Sequence, residues 1–178
     1  MIDKKFIKQW LSHYEKRMGN NVCKYEVLAK QTRLDIKCYQ SLSIGTIINI
    51  IDWKSSQTWR VLPFERDSIK EMQKTIHKIL ENKECNKIEE LIKIDGIGVP
   101  LASTLLHFIF PNKYPIIDFR VIRTLSQAEQ IDHKTKFSKD YYNKYKKLII
   151  KLKEKFKDYS IREIDNALFE FDKYKSEI

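Results

Sequence analysis

Two stretches of the chain decide its reading. Residues 94–103 run Ile94-Asp95-Gly96-Ile97-Gly98-Val99-Pro100-Leu101-Ala102-Ser103, and residues 114–123 run Tyr114-Pro115-Ile116-Ile117-Asp118-Phe119-Arg120-Val121-Ile122-Arg123. Ahead of the first, Ile88, Leu91 and Ile92 recur at helical spacing and predict a helix over 86–93. Behind it, Leu101, Ala102, Leu105, Leu106 and Ile109 predict another. The residues at 94–101 therefore read as a hairpin between two helices. Glycine admits positive φ and lets another backbone come close. Pro100 suits a first helical turn, where its missing N–H costs nothing. Ile97 is placed to plug the hairpin into the core. The N–H groups of Gly98 and of the new helix's first turn then make an anion site. The plainer alternative is a tight turn whose glycines only cap helices. Asp118 follows Gly98 by 20 residues and opens the next helix. It can act as an N-cap, as a reactive carboxylate, or as both.

Outward from this centre the chain reads as helices. Phe6, Ile7, Trp10, Leu11 and Tyr14 mark a first amphipathic helix, and 17–25 around Gly19-Asn20-Asn21 reads as a loop. Tyr25 to Cys38 reads as a helix and turn. Leu42 to Trp53 is apolar and β-branched; its helical neighbours favour a helix over a strand. Asp67 or Ser68 can cap a helix through Leu80. Residues 111–115 form a loop, 119–127 a helix and 128–138 a polar link. Tyr141, Tyr145, Leu148, Ile149, Leu152 and Phe156 mark a long helix whose other face carries Lys144, Lys147, Lys151 and Lys155, most simply a solvated face. Ser160-Ile161-Arg162-Glu163 has capping-box form and starts the last helix. The expected fold is all-α, with about eight helices in a single domain over 1–178.

Composition bounds the rest. A chain of 178 residues, 42% apolar, suits one domain or two packed helical lobes. With 4 Gly and 4 Pro there are few helix breakers. No apolar run is long enough to span a bilayer, and Met1–Ile7 lacks a signal-peptide core. The 3 cysteines, Cys23, Cys38 and Cys85, form neither a disulfide framework nor a zinc motif and suit a reducing, cytoplasmic setting. The net charge of +10 favours polyanions, although Lys bias from an AT-rich genome would also produce it.

With these residues in view, 88–123 resembles the helix-hairpin-helix DNA glycosylase superfamily. The shared pattern is an apolar helix, Gly-apolar-Gly, a small residue (Ala102), an apolar helix and an Asp opening a further helix; Arg123 stands where a basic residue often follows that Asp. Trp53-Lys54 and Arg60 upstream, with Ile164-Asp165-Asn166-Ala167-Leu168 downstream, look like a small bacterial branch of compact members. Three features depart from the pattern. Pro100 stands where bifunctional glycosylase-lyases carry Lys, so no Schiff-base amine is available there. The cysteines are too few and too dispersed for an iron–sulfur cluster. The chain is also shorter than most active members.

The resemblance implies a compact helix-hairpin-helix glycosylase fold and a monofunctional DNA glycosylase, a hydrolase of the N-glycosidic bond of a damaged or modified base. Alkylated purines and the bulkier modified pyrimidines of phage DNA are the substrate classes, for repair or antiviral defence. Asp118 is the implied catalytic residue. Gly96, Ile97, Gly98, Val99 and Pro100 would hold phosphate, with a monovalent cation at the hairpin carbonyls as the one possible cofactor and no metal bound by side chains. Lys54, Arg60, Arg120 and Arg123 are candidate DNA contacts, although one of the last two could instead pair with Asp165. Tyr39, Trp53, Trp59 and Tyr114 are candidate base-pocket rings, against the commoner role of aromatics as core. His77 and His107 read as structural histidines. The expected partner is double-stranded DNA with an extruded base, met by a monomer. The competing reading is a non-catalytic helix-hairpin-helix DNA-binding module, which needs the hairpin but not Asp118.

Overall fold

The computed structural model describes residues 2–19, 22–55, 66–82 and 84–177. Among them are nine helices and no strand, the all-α class expected. They are α1 (Lys4–Met18), α2 (Val22–Tyr39), α3 (Ile44–Ser55), α4 (Arg66–Glu81), α5 (Lys87–Ile92), α6 (Val99–Ile109), α7 (Phe119–Gln127), α8 (Lys139–Lys155) and α9 (Ile161–Glu177). The chain divides into two compact units. One comprises residues 1–22 and 111–178, the other residues 23–110. No helix among the described residues is long and apolar enough to cross a membrane.

The first unit is built on α9. Asp3 caps α1 by accepting the Phe6 N–H at 2.7 Å. The stripe Ile7, Trp10, Leu11 and Tyr14 is buried, as its i, i+3, i+4, i+7 spacing requires, and α1 packs along α9. Trp10 and Phe6 meet the Phe171 ring edge-on at 5.2 and 5.1 Å. Arg17 forks onto Glu170, Nε to Oε1 at 2.8 Å and Nη2 to Oε2 at 2.6 Å. The capping box at the head of α9 is formed: Glu163 Oε2 accepts the Ser160 N–H at 2.6 Å, and Ser160 Oγ accepts the Glu163 N–H at 3.1 Å. Ser138 caps α8. Both α7 and α8 pack on α9.

The second unit has α6 at its heart. Every residue of α6 except Pro100 is buried, the mark of a helix enclosed on all sides. Its polar side chains are provided for. Ser103 and Thr104 hydroxyls both donate to the Pro100 carbonyl at 2.8 Å, and the His107 ring nitrogen Nε2 lies 2.8 Å from the Tyr25 hydroxyl. His107 is thus a structural histidine, as expected. Lys87 Nζ donates to Ile79 O and Asn82 O, each at 2.7 Å, which closes the end of α4 against α5. Asp35 joins the end of α2 to the start of α3, accepting from Ser43 N–H and Gln31 Nε2 at 2.8 Å.

Two local expectations are corrected. The loop placed at 17–25 is far shorter, because α1 runs to Met18 and α2 starts at Val22. Gly19, with φ 47°, stops α1 in a conformation few other residues accept. The helix and turn placed at 25–38 is one continuous helix to Tyr39.

Candidate active site and nucleic-acid interface

The hairpin lies in the second unit. After α5, Ile94 N–H donates to Leu91 O at 3.2 Å and Ile97 N–H to Ile94 O at 3.1 Å, a pair of tight turns. Gly96 has φ 79°, a conformation that favours glycine. Ile94, Ile97 and Val99 are buried, at 3%, 4% and 5% exposure, whereas Asp95, Gly96 and Gly98 are exposed. The apolar side chains thus anchor the turn and leave glycine backbone facing water. Gly98 is the N-cap of α6 and has no side-chain cap, and Pro100 sits in the first turn. An uncapped helix start leaves its first N–H groups for solvent or a ligand. One expectation fails here. Gly98 does not use positive φ: its φ is −84°, and an added Cβ would meet only Pro100 Cδ, at 3.6 Å.

Asp118 lies in the first unit, half-buried at the end of an extended run. Its Oδ1 accepts the Arg120 N–H at 3.0 Å, so it does cap α7. The run before it is buried: Ile116 is 2% exposed and Ile117 0%. Buried, non-helical backbone needs partners for its carbonyls. Tyr142 on α8 donates to Pro115 O at 3.0 Å. The Tyr145 hydroxyl, one turn further on, lies 2.8 Å from both Ile116 O and Asp165 Oδ1. Burial above all, then the charge and hydrogen bond of Asp165, with smaller contributions from Tyr142 and the Asp118 carboxylate, push the Tyr145 hydroxyl well above its usual range. It therefore stays protonated as a donor. Two tyrosines thus pin the segment that delivers Asp118.

On the other side α7 is tied to α9. Thr124 Oγ1 donates to Leu168 O at 2.8 Å. Arg123 forks onto Asp172, Nε to Oδ1 at 2.8 Å and Nη2 to Oδ2 at 2.5 Å, and Arg120 Nη1 reaches Asp172 Oδ2 at 3.4 Å. The partner expected for one of these arginines was Asp165. It is Asp172 for both, about two helical turns later on the same face of α9. Asp165 instead meets Tyr145 and Arg162, whose Nη1 lies 3.8 Å away.

The remaining candidates are dispersed. Trp53 belongs to an aromatic cluster with Tyr25 and Phe108, ring centroids 5.9 and 5.3 Å away. Tyr39 is 68% exposed. Tyr114 carries Lys146 Nζ over its ring, 3.7 Å from the centroid; burial, with the charge of Lys113, holds that ammonium below its usual range. Lys54 is half-buried at the end of α3. Trp59 and Arg60 lie outside the described residues. No group of three or more His, Cys, Asp or Glu among the described residues could hold a metal ion.

Sequence reasoning missed Tyr142, Tyr145 and Asp172 as parts of this site, and it named Asp165 with a different partner. The signal for the acids was present: 165 and 172 are i and i+7 on α9, on the face that also buries Leu168. Compared with protein-family models, with curated proteins and with solved structures, the chain matches none.

The pinning tyrosines have a measurable consequence. Tyr145→Phe removes one partner from each of two buried acceptors and should lower unfolding free energy by about 1–3 kcal/mol. Tyr142→Phe touches one carbonyl and should cost less. Urea denaturation of both variants beside the wild type checks the order.

Proposed function

We propose that the protein is a monofunctional DNA glycosylase of the helix-hairpin-helix type, hydrolysing the N-glycosidic bond of a damaged or modified base. The observation that carries this reading is Asp118: a half-buried carboxylate at a helix mouth, held by a segment that two buried tyrosines fix in place. Cleavage of an N-glycosidic bond builds positive charge on C1′ and the ring oxygen. A fixed carboxylate stabilises that charge and can orient or deprotonate the attacking water. Preorganisation matters because a carboxylate that must first be moved into place gives up part of its electrostatic advantage.

The exposed Gly96–Gly98 backbone and the uncapped start of α6 support a phosphate grip through N–H groups. Ile94 O and Gly98 O accept from Ile97 N–H and Ala102 N–H, and each carbonyl keeps a second lone pair with which it could hold a monovalent cation beside the phosphate. The net charge of +10 supports a polyanionic partner. The base must leave the stack to be reached, which makes an unpaired, damaged or bulky modified base the fitting substrate class.

A second reading, a DNA-binding module without catalysis, draws on one observation: Asp118 already has a structural task as the cap of α7. Incubation with a panel of modified genomic DNAs, scored for abasic sites by an aldehyde-reactive probe, separates the two. The glycosylase creates such sites in at least one DNA, and the binding module in none. Because Pro100 stands where a lyase carries its amine, borohydride should trap no covalent protein–DNA adduct. A trapped adduct would show an imine formed from another amine.

A further inference from the structure

We infer that Phe119 is the ring on which the extruded base stacks. Single exposed apolar side chains are ordinary on protein surfaces. Phe119 differs in being exposed and fixed together. It is 49% exposed, while the apolar stripe of its own helix, Val121, Ile122 and Leu125, is buried. The guanidinium carbons of Arg123 and Arg120 lie 5.0 and 5.5 Å from its ring centroid. Both guanidiniums are held by the buried Asp172, and Arg120 also meets Ser176 Oγ at 3.1 Å. The guanidiniums lie over the ring and, tied to Asp172, limit its movement, while about half of its surface stays open to a ligand, which is spared part of the entropy of ordering it. Aromatic faces beside cations are how proteins hold unpaired bases, since every base has a π-face and a phosphate close by. Phe119 directly follows Asp118, and neighbouring Cα atoms are about 3.8 Å apart. A nucleotide whose sugar meets the carboxylate therefore has its base within reach of the ring. The inference rests on the glycosylase reading for Asp118 but is tested without catalysis.

The probe is a pair of duplexes of one sequence, one fully paired and one with a central 2-aminopurine opposite an abasic analogue. Affinity is measured for the wild type, Phe119→Ala and Phe119→Trp, each first shown by thermal denaturation to be folded. Loss of base stacking should weaken Phe119→Ala on the unpaired-base duplex by about 10-fold or more, leave the paired duplex unchanged, and be restored by Trp. Equal weakening on both duplexes, or on neither, would overturn the assignment of Phe119 and leave Asp118 untouched. A wild type that does not prefer the unpaired base would also remove it, and would speak against base extrusion. Persistence of base release in Asp118→Asn would instead sink the glycosylase reading.

Discussion

Asp118→Asn is expected to abolish base release while DNA binding and the fold persist. Asn has nearly the same shape and ranks with Asp as an N-cap, so the bond from Arg120 N–H to Oδ1 can be kept. The tyrosine bonds to Pro115 O and Ile116 O involve other atoms and should survive. On the glycosylase reading, what disappears is the negative charge that would face the developing sugar cation. Removing one preorganised electrostatic contact of this kind costs about 10²–10³ in rate. Ground-state binding should hold or tighten slightly, because a carboxylate facing DNA repels phosphate. Single-turnover base release and a binding titration on the same substrate check both halves. A variant as fast as the wild type would leave Asp118 as a helix cap only.

Gly98→Asp should separate stability from binding by moving them in opposite directions. Gly98 sits at φ −84° with room for a Cβ, so Asp fits without strain and supplies α6 with the cap it lacks. A carboxylate there also suits the positive end of the helix dipole. Stability should hold or rise by a few tenths of a kcal/mol. The same carboxylate would occupy the N–H groups offered to phosphate and repel it, so affinity for duplex DNA should fall by about 10-fold or more. Gly96→Val makes the contrast: at φ 79° a β-branched residue is strained, and stability should fall by about 1–3 kcal/mol. Denaturation curves and DNA titrations of the two variants give the four quantities. Unchanged DNA affinity in Gly98→Asp would mean that the hairpin is only a turn.

The helical order of the chain was legible because its apolar periodicity is strong. Even the β-branched Ile44–Ser55 segment, which propensity alone leaves ambiguous, is a helix, since burial in a helical unit outweighs the weak local preference. Helix ends were less legible. Periodicity marks faces rather than termini, so the helices reach further into 17–25 than their apolar residues indicate. In the candidate site, the cap at Asp118 and the buried Ile97 could be read from residue type and spacing. The conformation of Gly98 could not, because φ depends on where the preceding turn closes. Nor could the choice of Asp172 over Asp165. Both acids lie on one face of α9, and only the packing of α7 on that helix decides which one meets the arginines. Tyr142 and Tyr145 read locally as core aromatics on α8. Their hydroxyl partners lie 27 and 29 residues away in sequence, beyond any local pattern.

The most direct test is mass spectrometry of the free bases released from modified genomic DNAs by the wild type and by Asp118→Asn, side by side. The glycosylase reading predicts one free base, released by the wild type in step with abasic sites and absent with the variant. Equal release by both proteins, or release from none of the DNAs by a wild type that still binds them, would contradict it.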